Sequence, residues 1–476
     1  MTAVRAVIPR RAQPDEGPRG AWSALALALP SLFRLQSSPV KRLLAVTVVL
    51  FASLGVSFSE PATTRRRQPR RAPQPPPLVW HIETLAGGVV ASEKGDLPIN
   101  PASVVKVATT MWAIERLGPD FRFETRFFSR GAIDAKTGVL HGDLVVQGSG
   151  DPDFHSENAF LVAQALNRLG VREVRGRLVV NRSFWMGWEN GSAGVNGDPE
   201  QRGLKMASRL RQALDSRRWK STLRNDWRNF AAVRGLPAAR PFRVAVTGGV
   251  AVDGEGNQGE MLVVHRSESL ATALRRFNCY SNNDIERVGE VIGSPDELAG
   301  VVAARCSTGG GEVQLETTSG LGTNRISPRT IVRMLREFRA SAERLGVGVA
   351  DLLPASGCDP GTVTGFFPQL SSGANVGSVI GKTGTLTNTD GGITVLAGFI
   401  NTAQGEFVFC VAAPGASGRL KVSRQAEERF LLSFLAEHGG AAPRSCGPPL
   451  PESHTEAGVI LVAGQSPAAA PGPLQP

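Results

Sequence analysis

The sequence predicts an α+β fold in which an antiparallel sheet forms a sandwich with helices and a large inserted region interrupts the sandwich. Two blocks of strands and helices carry this prediction. The first has strands at 79–83 and 87–91 and an apolar helix at 103–117. The second has three consecutive strands within 378–413 and an amphipathic helix at 419–438. The strand-rich block between them is expected to be the insertion.

Local patterns define the elements between these two blocks. Alternating apolar residues indicate strands, apolar residues at helical spacing indicate helices, and Gly- or Pro-containing turns separate them. The expected elements are strands at 123–130, 139–147 and 171–181, a helix at 158–169, strands at 242–252 and 260–265, helices at 267–277, 284–292 and 295–304, a strand at 312–317 and a helix at 327–345. The Trp-rich and Arg-rich segment 181–239 gives no clear pattern, and its tryptophans are expected to pack in a core.

Length and composition divide the chain further. With 476 residues and 41% hydrophobic content, it can bury more than one core. An apolar run at 43–58 follows Lys41-Arg42 and is shorter than the roughly twenty residues of a membrane-spanning helix, so we expect a cleaved export signal, with a retained anchor as the alternative. The expected parts are an N-terminal extension, export signal and Pro/Arg-rich linker (1–78), the first part of the sandwich domain (79–130), the inserted region (131–262), the second part of the sandwich domain (263–438) and a disordered tail (439–476).

Charge and ligand patterns limit the classes of function. The 53 Lys and Arg against 42 Asp and Glu give a net charge of +11, which suits contact with an anionic envelope or polymer. Nucleic acid is not expected as a partner, because zinc-finger, RNA-binding and basic-zipper patterns are absent. The six histidines and five cysteines show no ligand spacing, so neither a metal nor another cofactor is expected. The cysteines can pair in an exported protein, but their connectivity stays open, and the odd count leaves at least one free.

The first apolar helix begins with a candidate nucleophile. Ser103 and Lys106 are three residues apart, which brings their side chains to one face of a helix. A buried lysine loses its proton readily, and the neutral amine can then act as base for the serine hydroxyl. The spacing alone is weak, because Ser38 and Lys41 share it and an ordinary capped helix with a solvated lysine explains it equally well.

Two further motifs follow in order. Ser281 and Asn283 lie in a loop between predicted helices, and Lys382-Thr383-Gly384 lies on a predicted strand beside two others. Ser-x-x-Lys, Ser-x-Asn and Lys-Thr-Gly in this order are the motif set of penicillin-binding serine enzymes. Each motif has a second occurrence in a less suitable place: Ser38/Lys41, Ser156/Asn158 and Lys136/Thr137/Gly138. The combination in its proper contexts is therefore a strong signal.

The chain resembles the D-alanyl-D-alanine carboxypeptidase/endopeptidase family of low-molecular-mass class C penicillin-binding proteins (peptidase family S13). The resemblance covers roughly residues 79–438. Besides the three motifs it includes Gly142-Asp143-Leu144 through Gly150-Asp151-Pro152, Ser319-Gly320-Leu321 with Asn324 to Ser327, and Leu353-Pro354 through Gly361-Thr362. It implies a β-lactamase/transpeptidase-like fold with the insertion between the first and second motifs.

The resemblance also implies a serine-type D-Ala-D-Ala carboxypeptidase/endopeptidase that acts on peptidoglycan stem peptides through an acyl-enzyme on Ser103 and is inhibited covalently by β-lactams. Lys106 would be the base and Ser281 a proton relay between the two lysines. The backbone N–H groups of Ser103 and Thr385 would bind the oxyanion, and the lysines would lower each other's pKa. The expected catalytic residues are Ser103, Lys106 and Ser281. The expected substrate-binding residues are Asn283, which would hold the peptide amide, Lys382, Thr383 and Thr385, which would bind the terminal carboxylate, and Gly384, which lets the substrate lie close to the strand.

Two alternatives stay open at this point. A β-lactamase or esterase of the same fold would share the chemistry, although no fast deacylating base is evident. A non-catalytic envelope-binding module would keep the fold without the reaction. In each case we expect an exported protein, periplasmic or otherwise extracytoplasmic, that is either secreted or anchored to the membrane or the anionic envelope by its N-terminal segment.

Overall fold

The computed structural model describes residues 74–188, 198–253, 259–309, 311–442, 445–451 and 457–462. The expected export signal at 43–58 and most of the expected linker lie outside these residues. Among the described residues no helix combines the length and the apolar character needed to cross a bilayer.

The strands, in chain order, are β1 (Val79–Thr84), β2 (Val89–Glu93), β3 (Glu124–Asp134), β4 (Val139–Gly148), β5 (Glu173–Val174), β6 (Leu178–Val180), β7 (Ala245–Val246), β8 (Val250–Val252), β9 (Glu260–Arg266), β10 (Val379–Leu386), β11 (Ile393–Thr402), β12 (Gly405–Pro414) and β13 (Gly458–Leu461). The α-helices are α1 (Val105–Leu117), α2 (Ser156–Arg168), α3 (Pro199–Leu214), α4 (Ser221–Val233), α5 (Leu270–Tyr280), α6 (Ile285–Ile292), α7 (Pro295–Cys306), α8 (Pro328–Arg344), α9 (Thr362–Phe366) and α10 (Leu420–Glu437).

The first sheet joins the two ends of the folded chain. Its order is β10-β11-β12-β1-β2, and all of its neighbours pair antiparallel. Successive residues of β11 face opposite sides of the sheet, as the two-residue period of a strand requires. Val395 and Ala397 pack in the core that contains α1 and α8, whereas Leu396 and Ile400 pack in the core that contains α10. This sandwich of helices on both faces of an antiparallel sheet confirms the predicted fold class.

The second sheet holds the intervening part of the chain. It has the order β13-β9-β3-β4-β5-β7, with β6 and β8 continuing from β4. β3 begins at Glu124, ahead of the expected insertion start at 131, and pairs with β4 and β9. We therefore propose that the inserted region begins near 124. The strands expected at 171–181 and 242–252 each divide into two short strands, and the one expected at 312–317 is reduced to a bridge between Gln314 and Arg325.

The described part of the Trp-rich segment forms α3 and α4, and Trp185, Trp219 and Trp227 are buried as expected, whereas Trp188 is 38% exposed. Trp219 and Trp227 are buried with Phe160 and Phe230, and Phe160 lies 5.0 Å and 5.5 Å from the two indoles between ring centroids. Aromatic pairs at these separations contribute packing energy beyond their area. The charged residues of α3 and α4 hide this apolar pattern in the sequence.

Part of the tail after residue 439 is ordered, which differs from the expected disorder. A disulfide joins Cys358 to Cys446, and β13 pairs antiparallel with β9. Between these two attachments, Arg275 and Arg276 of α5 donate to the carbonyls of Pro448 and Pro451. The other three cysteines, at 279, 306 and 410, are buried and free. A covalent bond and strand pairing to distant segments therefore fix residues whose composition alone suggests no core.

Candidate active site

Ser103 lies in a single 3-10 turn, Ala102–Val104, that leads directly into α1. Ala102 has a φ of +47°, a left-handed conformation that costs a non-glycine residue about 1 kcal/mol or more. Asn100 stabilises this start, because its Oδ1 accepts from the Ala102 N–H at 3.1 Å and its Nδ2 donates to Asp390 at 2.8 Å. The strained residue, Ala102, therefore lies immediately before the candidate nucleophile.

Lys106 is fully buried, and its Nζ contacts three oxygen atoms. They are Ser103 Oγ at 2.8 Å, Asn283 Oδ1 at 2.7 Å and the Ser319 carbonyl at 2.7 Å. The amide and carbonyl oxygens can only accept hydrogen bonds, whereas a hydroxyl can also donate. A neutral amine has two N–H donors and one lone pair. In that form Lys106 would donate to Asn283 and Ser319 and accept from the hydroxyl of Ser103, whereas in the ammonium form it donates to all three oxygens.

Burial favours the neutral form of Lys106. Burial lowers the pKa of Lys106 from 10.5 to about 7, against the opposing effects of the Glu286 and Asp284 carboxylates. The Glu286 carboxylate is itself held by Ser319, whose Oγ donates to its Oε1 at 2.6 Å. Near neutral pH, Lys106 is therefore already neutral in a large fraction of the molecules and can accept a proton from Ser103.

The second motif is placed by the end of α5 and the start of α6. Asn283 contacts Lys106 through its amide oxygen, which leaves its NH2 group for a substrate carbonyl. Ser281 is half-buried at the left-handed C-cap of α5, with a φ of +54°. Among the described residues its hydroxyl has no hydrogen-bond partner, so the expected bridge between Lys106 and Lys382 is absent there.

The third motif lies on β10, the edge strand of the first sheet. Lys382 is fully buried and donates from Nζ to the Thr383 carbonyl at 2.8 Å. Burial, and secondarily the charge of Lys106, lowers the pKa of Lys382 well below its usual value. Lys106 thus lowers the pKa of Lys382, as expected. The lowered pKa of Lys106, by contrast, is caused by burial.

The open edge of β10 faces the Ser103 turn. Gly381 donates its N–H to the Pro354 carbonyl, away from β11. Because strand N–H groups alternate in direction, those of Thr383 and Thr385 point to the same open edge. A Cβ at Gly384 would lie 2.6 Å from the Pro101 carbonyl oxygen and 3.4 Å from the Ser103 nitrogen. Glycine therefore permits the close approach of β10 to the helix start, where N–H groups lack helical partners.

The threonine hydroxyls of the third motif differ in availability. Thr383 Oγ1 donates to Thr362 Oγ1 at 2.7 Å, so its proton is not available for a hydrogen bond to another group. Thr385 Oγ1 accepts from Arg424 Nη2 at 3.0 Å. Arg424 belongs to α10, and sequence patterns did not single it out, because an arginine in an amphipathic helix normally lies on the solvated face.

Several other residues around the site were also missed as functional candidates from the sequence. Asn100 fixes the nucleophile turn, and Ser319 and Glu286 support Lys106. Ser319 belongs to a segment that carries the family resemblance, but only the tertiary contacts connect Ser319 and Glu286 to Lys106. Among the described residues no group of His, Cys, Asp or Glu side chains is arranged to hold a metal ion.

A serine at a helix start, hydrogen-bonded to a buried lysine and facing the open edge of an antiparallel strand, is the arrangement of a serine acyl-transfer enzyme. The chain belongs to the D-Ala-D-Ala carboxypeptidase 3 (S13) family, which it matches over residues 79–200 and 242–430. The family resemblance inferred from the motifs is confirmed.

Individual relatives are distant. The chain is 24% identical to D-alanyl-D-alanine carboxypeptidase DacB of Haemophilus influenzae over 67% of this chain and 81% of that protein. It is 26% identical to a D-alanyl-D-alanine carboxypeptidase of an Actinomadura species over 75% of this chain and 81% of that protein. A predatory endopeptidase of Bdellovibrio bacteriovorus, solved acylated by penicillin G and bound to an immunity protein, matches with a TM-score of 0.63 and 20% identity. That match covers 80% of this chain and 98% of the endopeptidase, and it shows a shared fold.

Proposed function

We propose that this protein is a serine-type D-Ala-D-Ala carboxypeptidase/endopeptidase that cleaves peptidoglycan stem peptides through an acyl-enzyme on Ser103 and is acylated by β-lactams. The observation that carries the assignment of Ser103 is its hydrogen bond to Lys106, a lysine whose burial brings its pKa to about 7. Family membership and the two D-alanyl-D-alanine carboxypeptidase relatives support the reaction class.

Acylation follows from these groups. Ser103 Oγ attacks the carbonyl carbon of the penultimate D-alanine while Lys106 takes the hydroxyl proton. The C–N bond then breaks and the proton passes to the leaving amine. The leaving group is D-alanine in the carboxypeptidase reaction and the amine of the cross-linked stem peptide in the endopeptidase reaction. Ser281, whose hydroxyl is uncommitted among the described residues, is the proposed relay for that proton. Water then attacks the ester carbonyl and gives up a proton, Ser103 Oγ leaves and is reprotonated by that proton, and the shortened peptide departs as a carboxylate.

Charge that develops on the carbonyl oxygen is stabilised at the edge of β10. The N–H groups of Ser103 and Thr385 are the proposed donors, and such a donor typically contributes about 3 kcal/mol to the transition state. The NH2 group of Asn283 binds the peptide carbonyl, because its oxygen is occupied by Lys106. Lys382 donates to the Thr383 carbonyl and Thr383 Oγ1 donates to Thr362 Oγ1, and these hydrogen bonds stabilise the strand that binds the substrate.

Peptidoglycan lies outside the cytoplasm, so the proposed substrate requires an exported protein. We propose that the apolar run at 43–58 directs export, and that the Arg-rich segment after it associates with the membrane surface or the anionic envelope. This part of the proposal rests on sequence, because both segments are outside the described residues apart from the end of the linker.

Digestion of purified, cross-linked peptidoglycan tests the function. The expected products are free D-alanine, monomeric stem peptides released from cross-links, or both, and Ser103→Ala should release neither. A protein that leaves the polymer intact but rapidly turns over penicillin would instead be a β-lactamase. A folded protein that does neither would contradict an enzymatic function.

A further inference from the structure

Positive charge is concentrated in one segment of the inserted region. Residues 199–243, which include α3 and α4, carry twelve Lys or Arg against three Asp or Glu. The rest of the chain from residue 74 onward carries 29 Lys or Arg against 36 Asp or Glu. The segment is therefore strongly basic within an otherwise acidic part of the chain, and residues 201–241 also lie outside the family match.

The acidic residues of this segment neutralise little of its charge at the surface. Asp215 is buried and pairs with Arg218 and Arg243. Asp226 is also buried, so Glu200, at the first turn of α3, is the one exposed carboxylate of the segment. Nearly all of the exposed charge here is consequently positive.

Three of the cations form a stripe along one side of α4. Lys220, the N-cap residue, is followed by Arg224 and Arg228 at intervals of four residues, and all three side chains are exposed. Trp227 and Phe230 of the same helix are buried in the tryptophan core, which fixes the helix in place. We call Lys220, Arg224 and Arg228 the basic stripe.

The basic stripe does not stabilise its own helix. Like charges four residues apart repel one another, and a positive charge at the N-cap, where Lys220 lies, opposes the helix dipole. Arg228 donates to Asn225 Oδ1 at 3.1 Å, and this neutral partner does not offset the charge. A bound anion would offset this repulsion, which points to an anionic partner for the stripe.

The chemistry of the segment favours a hydrated polymer over a lipid bilayer as that partner. Helices that lie on a membrane place large apolar side chains against the lipid. In residues 199–243, all of which the structure describes, Val233 is the one large apolar side chain that is exposed. Ten of the twelve cations are arginines, which bind carboxylates through two parallel hydrogen bonds. Peptidoglycan, the substrate of the proposed function, carries such carboxylates on its stem peptides.

We propose that the basic stripe of α4 is a docking surface for peptidoglycan, where it binds stem-peptide carboxylates other than those of the peptide at Ser103. This inference rests on the proposed function. Binding of the polymer at a second surface raises the effective concentration of its peptides at the active site. Loss of the stripe should therefore slow hydrolysis of the polymer and leave a small soluble substrate unaffected.

Co-sedimentation with purified, insoluble peptidoglycan tests the docking surface. The parent protein is the full chain with Ser103→Ala, which leaves the polymer intact. The stripe variant adds three substitutions: Lys220→Gln, Arg224→Gln and Arg228→Gln. It should bind about 10-fold more weakly at low salt, as three lost surface ion pairs predict, and the difference should shrink toward about 0.5 M salt. Amidation of the stem-peptide carboxylates should weaken binding of the parent similarly.

The control variant removes three exposed arginines from the same inserted region: Arg172→Gln, Arg175→Gln and Arg177→Gln. Arg175 and Arg177 pair with Glu173 and Asp143, so they offer less uncompensated charge than the stripe. The control should bind within about twofold of the parent. Thermal unfolding gives a second readout, because removing like-charge repulsion should leave the stripe variant as stable as the parent or more stable.

Three outcomes would overturn the inference and leave the proposed function intact. They are unchanged binding by the stripe variant, equal losses in the stripe and control variants, and binding of the parent to phosphatidylglycerol vesicles but not to peptidoglycan. A loss of binding together with a lower unfolding temperature would also overturn it, because the stripe would then be structural. With Ser103 intact, the stripe variant should hydrolyse acyl-D-Ala-D-Ala at the wild-type rate. A wild-type protein that hydrolyses neither this peptide nor peptidoglycan would overturn the proposed function instead.

Discussion

The Nζ of Lys106 lies 2.8 Å from the Oγ of Ser103, and its other two hydrogen-bond partners are oxygens that can only accept. In the neutral amine, the one remaining position is a lone pair directed at the Ser103 hydroxyl. The three contacts accommodate the neutral amine as well as the ammonium, and the lowered pKa makes the neutral amine available near neutral pH, which supports Lys106 as the base.

Acylation should therefore depend on pH with a defined sign. Burial holds the pKa of Lys106 at about 7, and the reactive form is the deprotonated one. The second-order rate of labelling by a fluorescent penicillin should rise about tenfold per pH unit below that pKa and level off above about pH 8. Measurement from about pH 5.5 to 9 checks this, with circular dichroism to exclude unfolding. A rate that is flat or falls as pH rises would count against Lys106 as the base.

Glu286 sets where that inflection lies. Its carboxylate raises the pKa of Lys106, so Glu286→Gln should lower it and move the inflection to lower pH by up to about one unit. The glutamine can still accept the hydrogen bond from Ser319. Glu290→Gln is the control, because Glu290 is exposed on the same helix and does not affect the pKa of Lys106. A shift to higher pH, or equal shifts in both variants, would contradict the charge effect.

Gly384→Ala should push β10 away from the turn that carries Ser103. The added Cβ would lie 2.6 Å from the Pro101 carbonyl oxygen, which is too close without movement of β10 or the Ser103 turn. A displacement of about 1 Å can cost about 100-fold in rate, so acylation should fall by that order while the protein stays folded. Gly300→Ala is the control, because its Cβ would meet no atom within 4 Å. Full activity of Gly384→Ala would show that the close approach is unnecessary.

The Cys358–Cys446 disulfide should contribute to stability. It joins positions 88 residues apart and so restricts the unfolded chain, an effect typically worth about 2–4 kcal/mol. Cys446→Ser should lower the free energy of unfolding by this order in denaturant titrations. A reducing agent should destabilise the wild type to the same level and leave the variant unchanged. Equal stability of oxidised and reduced wild type would contradict the prediction.

The three motifs could be recognised in the sequence because each is local. Ser103 and Lys106 are separated by one helical turn, and Ser281 and Asn283 share one loop, so spacing alone fixes which side chains can meet. Their order along the chain then identified the family, and the S13 family match confirms it. The strands of the first sheet and the helices that pack on it could be predicted for the same reason, because the spacing of their apolar residues is a local pattern.

Contacts between distant segments were not readable in this way. Residue spacing does not indicate that the Ser319 carbonyl accepts from Lys106 across 213 residues, or that Arg424 reaches Thr385. β13 is a short apolar run within a Pro- and Ala-rich tail, and only its pairing with β9 makes it a strand. The missing contact of Ser281 has the same origin, since the position of its hydroxyl depends on the left-handed backbone at the end of α5 rather than on the motif.

The most direct test of the central claim is to locate the acyl group. After incubation with benzylpenicillin, mass spectrometry of proteolytic fragments should find one adduct, on the peptide that contains Ser103. The Ser103→Ala variant, shown to be folded by circular dichroism, should carry none. An adduct on another residue, or an adduct that persists in Ser103→Ala, would contradict Ser103 as the nucleophile.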